Sequence, residues 1–179
     1  MSTWGTTTKD RGNRTFLPAG TNNYKLTGVR MENHAYFGNL QAVLDVQLDG
    51  VTYNIELPLA GSPTGNDEIV ADRIAGAMNA LGVKPSVIAG MEAAGQDVSD
   101  VENNVAWGSE LGLALPTFVG SVLELFVTHR DSKKLKDDGT PFVNANAYIN
   151  RVVSSPAEPV IAAGVNVPAG VADDDDIPF

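Results

Sequence analysis

The chain has 179 residues, of which 43% are hydrophobic and 19% charged, a composition typical of a folded globular protein rather than a disordered one. It contains no cysteine, which excludes disulfides, thiol nucleophiles and cysteine-ligated metal sites. The formal net charge of −10 at pH 7 argues against a nucleic-acid partner unless the basic residues are segregated from the acidic ones.

The N-terminal residues 1–20 are polar and rich in Thr, Gly and Asn, so we expect a flexible arm there. The first ten residues lack the apolar stretch of a signal peptide. No apolar run reaches the roughly 18 residues that a membrane-spanning helix requires. Since there is no cysteine framework either, we expect a cytoplasmic protein without a membrane partner.

Two β-strands are predicted after the arm. Residues 22–32 form the first. Residues 40–49 form the second, because apolar and polar side chains alternate there with the single exception of Val43. This period of two is the pattern of a strand that buries one face, and it places Gln41 on the polar face.

A tight hairpin is predicted to connect the second strand to a third. Asp49-Gly50 is a strong signal for a two-residue hairpin turn. The following residues 51–57 alternate in the same way as the second strand. Tyr53 belongs to the inward-facing set and Glu56 to the outward-facing set, so we expect Tyr53 in the core.

A helical insert is predicted over about residues 66–116. Asn66 is a plausible N-cap, and apolar residues then recur at helical spacing up to Gly82, which suits a left-handed stop. Pro85 can open a second short helix. The less regular end of the insert is expected to pack on the body through Val101, Val105, Trp107, Leu111 and Leu113.

Two further strands follow the insert. Residues 118–130 are dense in Val, Leu and Phe, and residues 142–153 alternate, with a charged loop predicted at 131–140. Five strands with helices between the third and fourth is the order of the oligonucleotide/oligosaccharide-binding (OB) barrel. We therefore predict a mainly β protein with a five-stranded OB-fold domain over residues 21–153.

The acidic residues are concentrated outside most of the predicted barrel. Residues 154–179 carry five acids and no base, and residues 67–110 carry eight acids and two bases. The remainder carries ten bases and nine acids, for a net charge of +1. A chain with this distribution can be acidic overall and still present a local basic surface.

The C-terminal region divides into a linker and a tip. Residues 154–172 are rich in Pro, Ala, Val and Gly, which predicts a flexible linker. Residues 173–179, Asp-Asp-Asp-Asp-Ile-Pro-Phe, join four carboxylates, which repel one another, to a short apolar end. A terminal Phe and its carboxylate suit an apolar pocket with a cationic rim, so we expect a partner-binding tip.

This ending resembles that of bacterial single-stranded-DNA-binding proteins and their bacteriophage relatives. Those proteins pair an OB-fold core with a low-complexity linker and an acidic tip ending in Asp-Asp-Ile-Pro-Phe or a close variant. The long insert and the polar arm fit a bacteriophage-encoded relative better than a host protein. The resemblance implies sequence-independent binding and protection of single-stranded DNA in replication, recombination and repair. It further implies recruitment of the proteins of these processes through Asp173, Asp174, Asp175, Asp176, Ile177, Pro178 and Phe179.

Basic side chains for phosphate contact fall in two clusters and on the strands. One cluster lies in the predicted loop between strands four and five, a usual ligand-binding arm of the OB-fold. Since Asp131, Asp137 and Asp138 lie there too, a solvated charged loop is the alternative. The candidates are Lys9, Arg11, Arg14, Lys25, Arg30, Arg130, Lys133, Lys134, Lys136 and Arg151.

Aromatic side chains are the candidates for base stacking. Tyr36 and Phe37 are adjacent in the loop between strands one and two and cannot both point into the core, although a small cluster beneath the loop is the alternative. Tyr148 has outward parity on strand five, where a cross-strand partner would also explain it. Phe126 is opposite in parity to its apolar neighbours, and either is exposed or packs under the insert.

Enzyme motifs are weak. The two histidines, His34 and His129, lack metal-ligand spacing, and there is no phosphate-binding loop, so no cofactor is expected. Asp45 and Asp49 share the polar face of strand two and could hold magnesium in a nuclease, but two acids exposed to solvent on a strand are the better interpretation.

The alternative function from another class is a protein-only adaptor, whose tail mimics the tip of the host single-stranded-DNA-binding protein to capture host replication and repair proteins. The sequence leaves the oligomeric state open.

Overall fold

One antiparallel sheet of five strands forms the body, with three helices between its third and fourth strands. The computed structural model describes residues 16–61, 65–135, 139 and 141–156, leaving out the side chains of residues 132–135 and 142. The elements in chain order are β1 (Gly20–Asn33), β2 (Leu40–Leu48), β3 (Val51–Pro58), α1 (Asp67–Leu81), α2 (Ser86–Ala93), α3 (Gly108–Ala114), β4 (Val122–Leu135) and β5 (Pro141–Ser154). Short 3-10 turns at Val105–Trp107 and Leu115–Phe118 flank α3.

The central strand, β1, pairs with different neighbours along its length. The sheet order is β3-β2-β1-β4-β5. Gly20–Lys25 pair with β4, and Lys25–Asn33 pair with β2. Thr27 is an extra residue in β1, because the residues on either side of it pair with consecutive residues of β2, Val46 and Asp45. Such a bulge bends and twists a strand, and here it lies near the point where β1 passes from one partner to the other.

A hydrophobic core lies on one face of this sheet. All five strands, α1 and α3 contribute buried side chains to it. Tyr24 of β1 and Tyr53 of β3 pack edge to face within it, with ring centroids 6.1 Å apart. The predicted inward orientation of Tyr53 is therefore confirmed. Trp107 is also buried in this core, as expected for an anchor of the helical insert.

The centre of β2 is buried on both faces, contrary to the simple alternation in its sequence. Gln41 is 1% exposed and Val43 is 2% exposed, although both point away from the core-facing set. Glu56 of β3, predicted to face outward into solvent, is 8% exposed. Gln41 donates from Nε2 to Glu32 Oε1 at 3.3 Å. On the face of the sheet away from the core, Gln41 of β2 therefore lies between Glu32 of β1 and Glu56 of β3. These long polar side chains cover one another.

Most predicted turns and helix boundaries are confirmed. Asp49 and Gly50 have φ of 50° and 80°, the positive values that the tight hairpin turn requires. Gly82 ends α1 with a left-handed φ of 69°, whereas the side chain of Asn66 makes no capping hydrogen bond. The expected packing of Leu113 is wrong, since this side chain is 81% exposed. Leu111 takes the core-facing position in α3, and a residue two places further along a helix does not share its face.

The β4–β5 hairpin is longer than predicted. β4 continues to Leu135 and β5 begins at Pro141, so Lys133 and Lys134 lie in a strand and not in the connecting loop. Strand pairing is made by backbone hydrogen bonds, so the ribbon continues into charged sequence beyond the core. At its other end β5 includes Ser154, which the sequence assigns to the linker.

The described sheet is open, with β3 and β5 as its edges. Both edge strands pack against α1, and residues of all three elements line one cavity of about 380 Å³. The mainly β architecture, with helices between the third and fourth strands, is thus confirmed. The described strands do not close into the predicted barrel. None of the helices in these ranges combines the length and the apolar character that crossing a membrane requires.

Candidate nucleic-acid interface

The face of β1, β4 and β5 that points away from the core carries aromatic and basic side chains in adjacent rows. Side chains alternate along β4, so that Leu123, Leu125 and Val127 enter the core while Phe126 points outward. We call this surface the outer β1–β4–β5 face. Its rows across the three strands are Thr21–Phe126–Tyr148, Asn23–Glu124–Arg151 and Lys25–Val122–Ser154.

Phe126 and Tyr148 lie directly opposite each other on this face. Each is 41% exposed, and cross-strand neighbours in such register have Cβ atoms about 5 Å apart. Both side chains thus have the outward parity and exposure that the sequence indicates. A flat ligand group can contact two neighbouring rings at this position.

Tyr148 is positioned by a residue of the helical insert. Arg73 of α1 donates from Nη2 to the Tyr148 hydroxyl at 3.2 Å, and its guanidinium carbon lies 4.9 Å from the ring centroid. Burial lowers the pKa of the Arg73 guanidinium, and the contact with Tyr148 opposes this shift. The sequence analysis does not select Arg73 as a site residue. Its signal is a single basic side chain within the apolar stripe of α1.

Three cations and one carboxylate belong to the outer β1–β4–β5 face of the described strands. Lys25 and Arg130 are exposed. Arg151 forms an ion pair with Glu124, its Nη2 lying 3.0 Å from Oε2. The hydrogen bond from Arg151 lowers the pKa of Glu124, and Glu124 raises the pKa of Arg151. The structure therefore brings Lys25, Phe126, Arg130, Tyr148 and Arg151 onto one surface that has more positive than negative charges.

The loop between β1 and β2 presents a further ring to solvent. Nδ1 of His34 accepts hydrogen bonds from the backbone N–H of Tyr36 at 3.2 Å and of Phe37 at 3.1 Å. Phe37 packs on the His34 ring with centroids 4.9 Å apart, whereas Tyr36 is 84% exposed. The expectation that at least one of the two aromatic side chains is exposed is confirmed, and the exposed one is Tyr36.

The opposite half of the sheet has a different chemical character. Arg30 binds Asp45, with Nη1 2.6 Å from Oδ1, and its Nε lies 3.6 Å from Glu32. The hydrogen bond with Asp45 raises the pKa of Arg30. Asn54 also donates to Asp45. Arg30 is thus engaged by acids on the β1–β2–β3 face and is not grouped with the other candidate cations.

Glu56 lies buried on this same acidic face. Burial and, to a smaller extent, the nearby Glu32 carboxylate raise the pKa of Glu56 to about 7, although Gln41 and Arg30 act in the opposite direction. At neutral pH the carboxyl group is therefore close to half protonated. Among the described residues, no group of three or more histidine, aspartate or glutamate side chains is arranged to hold a metal ion.

Several predicted site residues lie outside what the structure describes. The side chains of Lys133 and Lys134 are not described, although their backbones belong to β4. Nearly all of the predicted linker lies outside the described residues. The other predicted site residues that the structure does not describe lie there too. They are Lys9, Arg11, Arg14, Lys136, Asp173, Asp174, Asp175, Asp176, Ile177, Pro178 and Phe179.

Neither a scan against protein-family models nor a search of curated proteins found a match.

Proposed function

We propose that this protein binds single-stranded DNA without sequence preference, on the outer β1–β4–β5 face and the neighbouring loops. It protects the strand during DNA replication, recombination and repair. Its acidic tip, Asp173–Phe179, recruits the proteins of these processes. We place it in the cytoplasm of a host cell, as a bacteriophage-type member of the single-stranded-DNA-binding proteins that its ending resembles.

The observation that carries this proposal is the pair of exposed rings, Phe126 and Tyr148, beside Lys25, Arg130 and Arg151. Sequence-neutral binding of single strands combines aromatic faces, on which any base can stack, with cations that follow the phosphates. A cross-strand pair of aromatic side chains also stabilises a sheet. The proposal assigns this exposed pair a second role, as a surface on which bases stack.

The strand order supports an OB-type barrel as the scaffold. Five strands with a helical insert after the third, in the order β3-β2-β1-β4-β5, are those of an OB-fold whose remaining seam lies between β3 and β5. The ligand surface of that fold usually includes strands two and three. In this chain β2 and β3 carry Asp45 and Glu56 there, and the adjoining end of β1 carries Glu32, so we assign phosphate contacts to the other half of the sheet.

A fluorescence titration with oligo-dT tests the proposal. Binding is expected to quench Trp and Tyr emission, and log K is expected to fall against log salt by about 0.7 for each phosphate contact. Replacing Phe126 and Tyr148 together by Ala is expected to weaken binding at least about tenfold, since stacking contributes roughly 1–3 kcal/mol per base.

The matched control is Phe16→Ala. Phe16 is also a partly exposed ring, but it packs on His129, which points to the opposite side of β4 from Phe126. This variant is expected to retain the affinity of the parent chain. Absence of quenching and of gel retardation, with retained binding to partners that recognise the tip, would instead support the protein-only adaptor.

A further inference from the structure

The cavity between β3, β5 and α1 adjoins one of the two rings of the proposed DNA surface. Tyr148 belongs to the outer β1–β4–β5 face and also lines the cavity. Its hydroxyl accepts a hydrogen bond from Arg73 of α1, which is another lining residue. Because β5 is an edge strand, a DNA strand that stacks on Tyr148 lies at the border of this cavity.

The walls of the cavity are mostly apolar. Its volume is about 380 Å³, within the range of roughly 300–1,000 Å³ in which proteins hold small organic ligands. Four strands contribute side chains that belong to the core or pack against it, and these are Leu44, Ile55, Leu57, Leu125, Ala147 and Ile149. Such walls suit the apolar face of an organic group better than a solvated ion.

Helix α1 leaves open space in the cavity where a side chain could lie. Ile69, Arg73 and Gly76 line the cavity and share one face of the helix by their spacing. A Cβ at Gly76 would meet no atom within 4 Å, although glycine inside a helix is less stable than alanine. Ile69, two turns earlier, is 55% exposed. A flat ligand that enters the cavity would cover both positions.

The polar groups of the lining favour a neutral occupant. Glu56 and Asp72 are acids, and Arg73 is the one base among the described residues that line the cavity. A phosphate would therefore lie near two acidic residues and an apolar wall, where an unpaired charge is costly. A nucleobase is uncharged, has apolar faces and carries hydrogen-bond donors and acceptors on its edge. Asp72 can accept from such an edge, and the guanidinium of Arg73 is a donor.

We propose that one base of the bound single strand leaves the stack beside Tyr148 and inserts into the cavity between β3, β5 and α1. The phosphates on either side of this base stay on the outer β1–β4–β5 face. Unstacking costs least for a base that is already unpaired. All four bases carry both donors and acceptors, so the site requires no particular base. This inference rests on the proposed DNA-binding function.

A variant that fills the cavity tests the inference. Gly76→Leu places an apolar side chain in the open space, where its Cβ displaces no atom. The affinity for oligo-dT is expected to fall at least about fivefold, because one base loses its contacts. The melting temperature is expected to equal or exceed that of the parent chain, since leucine favours a helix more than glycine does. Weaker binding would then not result from unfolding.

The matched control is Gly90→Leu. Gly90 also lies inside a helix, α2, and a Cβ there would meet no atom within 4 Å. It is not among the residues that line the cavity. This variant makes the same substitution and is expected to retain the oligo-dT affinity of the parent chain.

An oligo-dT strand that carries a single 2-aminopurine reports on the base itself. Bound to the parent chain or to Gly90→Leu, part of its emission is expected to be shielded from the quencher acrylamide. Bound to Gly76→Leu, the strand is expected to lose the part of this shielding that the cavity provides.

The outcomes separate this inference from the proposed function. Equal oligo-dT affinities of the parent chain and Gly76→Leu would overturn the inference and leave the DNA-binding function in place. Equal losses in Gly76→Leu and Gly90→Leu would also overturn it, because the effect would then not depend on the cavity. A parent chain that binds no oligo-dT would contradict the function, and the inference with it. Loss of partner capture in Gly76→Leu with unchanged oligo-dT affinity would assign the cavity to an apolar side chain of a partner protein.

Discussion

Glu56 shows how a single residue can violate the pattern of its strand. Alternation places it on the outward face of β3, yet its side chain is 8% exposed beneath neighbouring polar side chains. A buried carboxyl group close to the Glu32 carboxylate favours its neutral form, and its pKa is raised to about 7. The hydrogen bond from Gln41 acts in the opposite direction and lowers this pKa, but burial outweighs it.

This raised pKa links stability to pH. The group stabilises the fold fully below its unfolded pKa of 4.5, and that contribution is lost as the pH rises through about 7. Glu56→Gln removes the ionisation. It is expected to raise the free energy of unfolding by roughly 3 kcal/mol above pH 8 and to change it little at pH 4. Urea denaturation at the two pH values measures the difference.

The control for this measurement is Glu102→Gln, which changes an exposed glutamate outside the helices and strands. Its stability is expected to follow that of the parent chain at both pH values. If the curves of the Glu56→Gln variant and the parent chain also run parallel across this pH range, Glu56 does not ionise in the folded protein as its surroundings indicate.

The seven-residue helix α3 shows how a short element depends on one close contact. It meets the chain after β3 at Gly108, where a Cβ would lie 1.9 Å from the carbonyl oxygen of Leu59. Backbone cannot yield to such an overlap as a flexible side chain would. Only glycine therefore permits α3 to bring Leu111 and the preceding Trp107 into the core.

Gly108→Ala is accordingly expected to destabilise the protein by about 2 kcal/mol or more, because the added methyl group must displace backbone. Thermal unfolding followed by far-ultraviolet circular dichroism measures the loss. Gly112→Ala is the control within the same helix. Its Cβ would meet a Leu59 methyl group at 3.1 Å, a contact that a side chain can relieve, and a clearly smaller effect is expected. Equal stability of the Gly108→Ala variant and the parent chain would refute the close contact.

At the scale of the whole molecule, charge is separated by region. Residues 154–179 carry five of the 22 acidic residues and no base, whereas the outer β1–β4–β5 face has more cations than carboxylates. If this face binds DNA as proposed, a polyanionic tip on the same molecule is expected to compete with DNA for the same cations. The competition is strongest at low salt, where charges are screened least.

Removal of residues 173–179 is therefore expected to leave the affinity for oligo-dT equal or higher at low salt, with the difference shrinking as salt rises. The same change is expected to abolish capture of partner proteins. The matched control is Phe179→Ala, which keeps all four aspartates and is expected to lose partner binding without altering DNA affinity. A large loss of DNA binding on removal of the tip would contradict this arrangement.

Much of the architecture follows from local sequence pattern, and the departures have identifiable causes. Alternation predicts the inward position of Tyr53, and the Asp49-Gly50 turn follows from the positive φ that only certain residues tolerate. The pattern fails at Glu56 and Leu113, because burial there depends on neighbours distant in sequence. The sequence does not identify Arg73 as a site residue for the same reason, since its partner Tyr148 is 75 positions away.

The extra residue Thr27 changes the curvature of β1 without changing which of the following side chains face the core. A version of this strand without Thr27 would keep Val29 and Met31 facing inward and Arg30 and Glu32 facing outward, because two-residue periodicity would resume at Gly28. The hydropathy pattern of β1 would be unchanged. The shortened strand would lose the local bend and the extra local twist that a bulge adds between the half joined to β4 and the half joined to β2.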